Sequence, residues 1–170
     1  MGKMLVVYYS YSGNTKMIAE TIADTVQGDL HEIRVQGEKK GKKLMGKIFS
    51  ELGKIAFHKD SDIEPMNLQL EEYDGIFLGS PIWGGNLSIP VRTFLKRYEV
   101  RGKKIGFFYS CGGDDPKARE KIMNKVSPLL ASDNTLVRYI GFSQTVKKYE
   151  QQKSKIVEWG EQVKKEIQEG

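Results

Sequence analysis

Five residues of the stretch YYSYSGNTK carry groups suited to holding an anion: Ser10, Ser12, Gly13, Asn14 and Thr15. The three hydroxyls and the Asn14 amide are hydrogen-bond donors, and Gly13 permits a tight turn. A strand-like run, Lys3 to Tyr9, precedes them. After them Met17/Ile18, Thr21/Ile22 and Thr25/Val26 recur every four residues as far as Gly28. The first pattern predicts a strand buried on both faces and the second an amphipathic helix. The five residues thus stand where a strand gives way to a helix. The first amides of such a helix are unpaired and lie at the positive end of its dipole. A plain helix cap needs one such hydroxyl; four polar side chains and a glycine at this position predict a phosphate site. Neither GxxxxGK[ST] nor GxGxxG occurs, which leaves a monophosphate ester rather than a nucleoside triphosphate or a dinucleotide.

The remaining elements are those that must position this loop. Asp29 to Val35 reads as a second strand, Gly75 to Gly79 as a third, Lys104 to Tyr109 as a fourth and Thr135 to Phe142 as a fifth. Helices are predicted from Pro90 to about Tyr98, from Pro116 to Leu130 and from about Thr145 to Glu169, the last with Ile156, Val163 and Ile167 on one side. Strands alternating with helices imply an α/β fold, a parallel sheet covered on both faces. Ligands of such sheets bind beyond the carboxyl ends of the strands, where the Ser10-to-Thr15 loop falls.

Two further loops make a pattern with the first. Ser10-Tyr11-Ser12-Gly13-Asn14-Thr15 resembles the [ST]-x-[ST]-G-x-T phosphate loop of flavodoxins. Tyr73 to Gly85 is similar to that family's third strand and the flavin-contacting loop after it, and Ser110-Cys111-Gly112-Gly113-Asp114 stands where its second flavin loop follows strand four. The resemblance covers nearly the whole chain. It implies a flavodoxin-like three-layer sandwich with strand order 2-1-3-4-5, a single domain over residues 1–170, and FMN as cofactor. In that frame Ser10 to Thr15 hold the phosphate. The loop of Pro81, Ile82, Trp83, Gly84, Gly85 and Asn86 meets the ring, with Trp83 stacking and the two glycines letting the backbone approach N5. The amides of Cys111, Gly112 and Gly113 face the pyrimidine edge. Gly112 to Asp115 offers no aromatic to cover the outer ring face, so the flavin is expected to be more open there. The unbroken fifth strand lacks the insertion of long-chain flavodoxins.

The segment 37–65, between strands two and three, breaks the rhythm. It carries seven lysines, Lys39, Lys40, Lys42, Lys43, Lys47, Lys54 and Lys59, while Leu44, Ile48, Leu52 and Ile55 are spaced for one helical face. A basic amphipathic helix from Gly41 to His58 has three readings: it covers a sheet edge with its lysines in water, it binds an acidic redox partner, or it rests on an anionic membrane surface. The lysines are not interleaved with aromatics, which argues against nucleic acid.

The chain as a whole has 170 residues, a net charge of +5 and one cysteine. That size suits one domain with a real core. No run is long enough to span a membrane, and no secretory leader is expected. Val6 stands where a myristoylation signal needs Ser or Thr. A lone Cys111 fits a reducing cytoplasm. A phosphatase loop beginning at Cys111 would need Arg at 117, where Lys117 stands. Neither His31 nor His58 has a metal-ligand partner in sight, so no metal site is expected. The first functional expectation is a one- or two-electron carrier. The alternative is an FMN-dependent oxidoreductase of the NAD(P)H:quinone reductase or protoporphyrinogen oxidase type, and a third is an interaction module without flavin. A basic surface favours a less negative flavin potential than an acidic carrier has.

Overall fold

The computed structural model describes residues 2–39, 44–56, 59–113 and 115–169. Along the chain these form β1 (Met4–Tyr8), α1 (Asn14–Val26), β2 (Asp29–Glu32), α2 (Leu44–Ala56), a one-turn 3-10 helix (Leu70–Glu72), β3 (Gly75–Trp83), β4 (Asn86–Leu87), α3 (Ile89–Arg97), β5 (Lys104–Cys111), α4 (Pro116–Ala131), β6 (Thr135–Ser143) and α5 (Thr145–Glu169). The main sheet runs β2-β1-β3-β5-β6, all parallel. Set aside the two-residue β4, which pairs antiparallel with β3, and this is the predicted order 2-1-3-4-5.

The continuous apolar runs explain the burial. Every residue of β1 and β3 is buried, as a parallel sheet covered on both faces requires. Side chains alternate along β1 between the two layers. Leu5, Val7 and Tyr9 join Phe107, Val91, Phe94 and Val126 on the α3–α4 side. Met4, Val6 and Tyr8 join Ile18, Ile22, Ile156, Trp159 and Val163 on the α1–α5 side. Glycines bring α5 close to the sheet: a Cβ on Gly106 would lie 2.6 Å from Val163, and one on Gly75 would lie 2.5 Å from Ile167.

Two predicted boundaries shift, each for a physical reason. The second strand stops at Glu32; Val35 instead bridges Ile63 in antiparallel fashion, and Gln36 N donates to Asp62 O at 2.8 Å. The returning chain after α2 therefore captures residues 34–36. The third strand runs on to Trp83, so Pro81, Ile82 and Trp83 belong to a strand and not to a loop. Pro81 is tolerated there because β1 stops pairing with β3 at Gly79 and leaves that side without a ladder partner. The basic helix is described from Leu44 to Ala56; residues 41–43, 57 and 58 of the predicted Gly41-to-His58 helix lie outside the described residues. Its lysines are not all in water. Lys47 is largely buried in an ion cluster, because it lies on the side of the helix that faces the sheet.

Candidate functional site

β1 delivers the phosphate-loop residues to the carboxyl end of the sheet. Gly13 takes a left-handed φ of +90°, and its N–H donates to Ser10 Oγ at 3.2 Å. As the N-cap of α1, Gly13 brings no side chain to the helix end, so the first amides of α1 are left for a ligand. Ser12 is exposed beside them. Thr15 is buried and shares a 2.8 Å hydrogen bond with Ser110 Oγ at the end of β5. That pair holds two hydroxyl protons and uses one between them, so one remains for an acceptor. Asn14 lines the cleft and is held from both ends of its amide. Its Nδ2 donates to Ser12 Oγ (3.0 Å) and its Oδ1 accepts from Val146 N (2.9 Å), tying the loop to the start of α5.

The second loop is a tight hairpin. Gly84 and Gly85 have φ of +57° and +73°, the left-handed pair of a type I′ turn, and Asn86 Nδ2 donates to Gly84 O at 2.8 Å. The hairpin base is stitched by Ser80 and Ser88, whose hydroxyls lie 2.9 Å apart. Trp83 is only 8% exposed, with Tyr9 and Tyr11 edge-on at 6.2 and 6.3 Å. Tyr11 also donates its hydroxyl to Lys39 O at 3.4 Å. In the third loop Cys111 is half-buried and its Sγ donates to Gly113 O at 2.8 Å. Burial pushes this thiol's pKa up, with the charge of Arg119 acting the other way.

These loops meet in one cleft of about 290 Å³, walled by Ser12 and Asn14 from the first, Pro81, Ile82, Trp83 and Gly84 from the second, and Ser110, Cys111 and Gly112 from the third. Ser10, Gly13 and Thr15 are absent from its lining. Tyr11, Gly85, Asn86 and Gly113 are outside it too, and Asp114 lies outside the described residues. The volume is at the small end of small-molecule sites and suits a flat ring with a tail lying over the α1 N-terminus. Two further lining residues, Ile48 of α2 and Gln144 before α5, were missed in the sequence. Ile48 could have been suspected from its place on the apolar stripe of the basic helix; Gln144 gives no such signal. A larger cavity, about 600 Å³, lies at the opposite end of the sheet against Gly2, Asp74, Lys104, Ile167 and Gln168. It touches none of the three loops, and ligands of parallel sheets bind at the other end. Among the described residues no cluster of His, Cys, Asp or Glu could hold a metal ion.

The flavodoxin family profile matches residues 3–153, from the start of β1 into α5. The chain belongs to the flavodoxin family. Among solved structures, this flavodoxin-family chain is similar to a flavoprotein from Lactobacillus acidophilus crystallised in complex with FMN. That match has 26% identity and a TM-score of 0.72, covering 88% of this chain and 99% of that one. The apo-form of the flavoprotein from the same organism matches with 24% identity and a TM-score of 0.64, over 88% and 97% of the two chains. A WrbA-like flavodoxin from Agrobacterium tumefaciens shares the fold at 16% identity and a TM-score of 0.61, over 97% and 99%.

Proposed function

We propose that the protein binds FMN in this cleft and works as a carrier of one or two electrons between proteins. The observation that carries the reading is the convergence, in one cleft, of an α1 N-terminus without a side-chain cap and the ends of β3 and β5. Ser12, Thr15 and the first amides of α1 would hold the phosphate. Trp83 and Pro81 would give the ring apolar contact, and the Cys111 and Gly112 amides would meet its polar edge. The flavodoxin profile and the FMN complex of the Lactobacillus relative support this choice of ligand.

The flavin supplies the electron chemistry; the protein binds it, orients it and sets its surroundings. The α1 dipole and the leftover hydroxyl proton of the Thr15–Ser110 pair favour a dianionic tail. The buried Ile82 and Trp83 would keep water from one side of the ring. A net charge of +5 suits a partner with an acidic surface. No described helix is long and apolar enough to cross a membrane, and the single thiol fits a cytoplasmic setting.

The second reading is an FMN-dependent oxidoreductase. It is favoured by the exposed Gly112 and Gly113, which leave that side of the cleft without an aromatic cover. One experiment separates the two. Protein loaded with FMN is reduced stepwise while its visible spectrum is followed, and then mixed with NADH or NADPH alone. Stepwise bleaching with dithionite and no rapid bleaching with the nicotinamides is the carrier outcome. Rapid bleaching by either nicotinamide overturns it in favour of the enzyme. A chain that stays colourless after FMN is added overturns both.

A further inference from the structure

We propose that α2 is a fourth wall of the flavin cleft, with Ile48 as its ring contact and Glu51 as the positioning residue that pins the helix in place. The proposal rests on the FMN reading and adds to it a helix that lies between β2 and β3, remote in sequence from the three loops.

The same helix meets the site at two points one turn apart. Ile48 lines the cleft beside Trp83. Leu52, four residues on and so on the same face, covers the hairpin turn; a Cβ on Gly84 would come within 2.8 Å of its Cδ2. The glycine at 84 therefore serves the packing of α2 as well as the turn.

The neighbouring residues Lys47 and Glu51, also four apart, face inward to a buried charge cluster. Lys47 Nζ lies 2.6 Å from Glu38 Oε1 and 3.1 Å from Glu51 Oε1. Tyr9 donates its hydroxyl to Glu38 at 2.8 Å, and Ile89 N donates to Glu51 Oε2 at 3.0 Å. The Glu51 side chain is 0% exposed. Two carboxylates thus share one ammonium, and the first amide of α3, at the positive end of that helix, supports the second negative charge. Burial works to lower the Lys47 pKa, but the bond to Glu38 and the charge of Glu51 outweigh it and raise the pKa overall, so the ammonium persists.

Buried ion clusters are a poor source of stability, since desolvation cancels most of the attraction, and apolar residues would hold a helix at least as well. What directed bonds add is a fixed position. Here they set α2 against Tyr9, the residue that follows β1 and leads into the phosphate loop, against residue 38, and against the start of α3. Glu51 itself does not line the cleft; it acts through Ile48 and Leu52.

The test compares FMN with riboflavin, which has the ring and lacks the phosphate. Dissociation constants, visible spectra and flavin midpoint potentials are measured for the wild-type chain, Ile48→Ser, Glu51→Gln and Thr15→Val. Ile48→Ser is expected to weaken FMN and riboflavin by the same factor, about ten-fold, and to raise the midpoint potential, because water reaching the ring stabilises its reduced anion. Glu51→Gln is expected to weaken both flavins in parallel and to alter the bound flavin's spectrum. Thr15→Val is expected to weaken FMN alone. Unchanged riboflavin affinity in Ile48→Ser, or a Glu51→Gln chain that melts earlier with its flavin affinity, spectrum and potential unmoved, overturns the proposal while leaving FMN binding intact. If Glu51→Gln does not fold, Ile48→Ser decides. A wild-type chain that takes up neither flavin overturns both this proposal and the function it rests on.

Discussion

Thr15 shows how a single hydroxyl can join two loops. Its bond to Ser110 joins the first turn of α1 to the end of β5. Removing the hydroxyl while keeping the shape, in Thr15→Val, deletes that link and leaves Ser110 without its partner. We expect FMN affinity to fall about ten-fold, the cost of one buried hydrogen bond to a charged group, as read by quenching of flavin fluorescence during titration. Cys111 makes a pH prediction. The fold favours its neutral thiol, because burial pushes the pKa up. Alkylation by iodoacetamide is therefore expected to be slower than for a free thiol near neutrality and to speed up only above the usual thiol range of about 8.5. FMN loading should slow it further, since Cys111 lines the cleft. Mass spectrometry over time reads both effects, and a thiol that reacts as fast as free cysteine would contradict them. The sequence marked both residues, but not their partners. Asn14 illustrates why: its amide also braces Ser12 and Val146, the latter a contact 132 residues away that no local pattern encodes.

At the scale of elements, the long periodic segments were the legible ones. α5 covers the predicted span Thr145–Glu169 with a kink at Lys148 (φ −115°, ψ 18°), and the predicted stripe of Ile156, Val163 and Ile167 is buried, as an amphipathic face requires. The ends of strands were harder. β3 extends past Gly79 because β5 goes on pairing with it as far as Pro81 and Ser110, and pairing by a distant strand leaves no mark on the strand's own residues. The hairpin of β3 and β4 is held by Ser80 and Ser88, not by any alternation in two residues. The fit between β5 and β6 gives a test at this scale. A Cβ on Gly141 would fall inside the contact distance of the Tyr109 ring. Gly141→Ala is expected to cost about 1–3 kcal/mol, as overpacking does, measured by urea denaturation. A loss well below that would mean the Tyr109 ring can yield.

For the molecule as a whole, the covered parallel sheet followed from alternation and the strand order from the resemblance of the three loops to flavodoxins, while the role of the basic segment did not, because charge says nothing about which lysine turns inward. The net charge of +5 is offset by about −2 from a bound phosphate monoester, leaving a positive particle. Reoxidation of the reduced, FMN-loaded protein by ferricyanide, an anion, is therefore expected to slow as salt is added. Reoxidation by hexaammineruthenium, a cation, is expected to quicken. Stopped-flow traces at several ionic strengths measure both, and the opposite pair of slopes would place a negative field at the cleft. Finally, the link from Asn14 to Val146 makes the last helix more than a lid on the core. Beyond its kink at Lys148, α5 runs on for about 30 Å at 1.5 Å per residue, and its far end is held by Lys104 Nζ on the Ile167 carbonyl at 2.9 Å. Its near end props the glycine-bearing bend that would cradle the ester. Trimming the carboxyl-terminal helix would thus knock out a buttress at the opposite pole of the molecule, and the anion seat would sag before the sheet came apart.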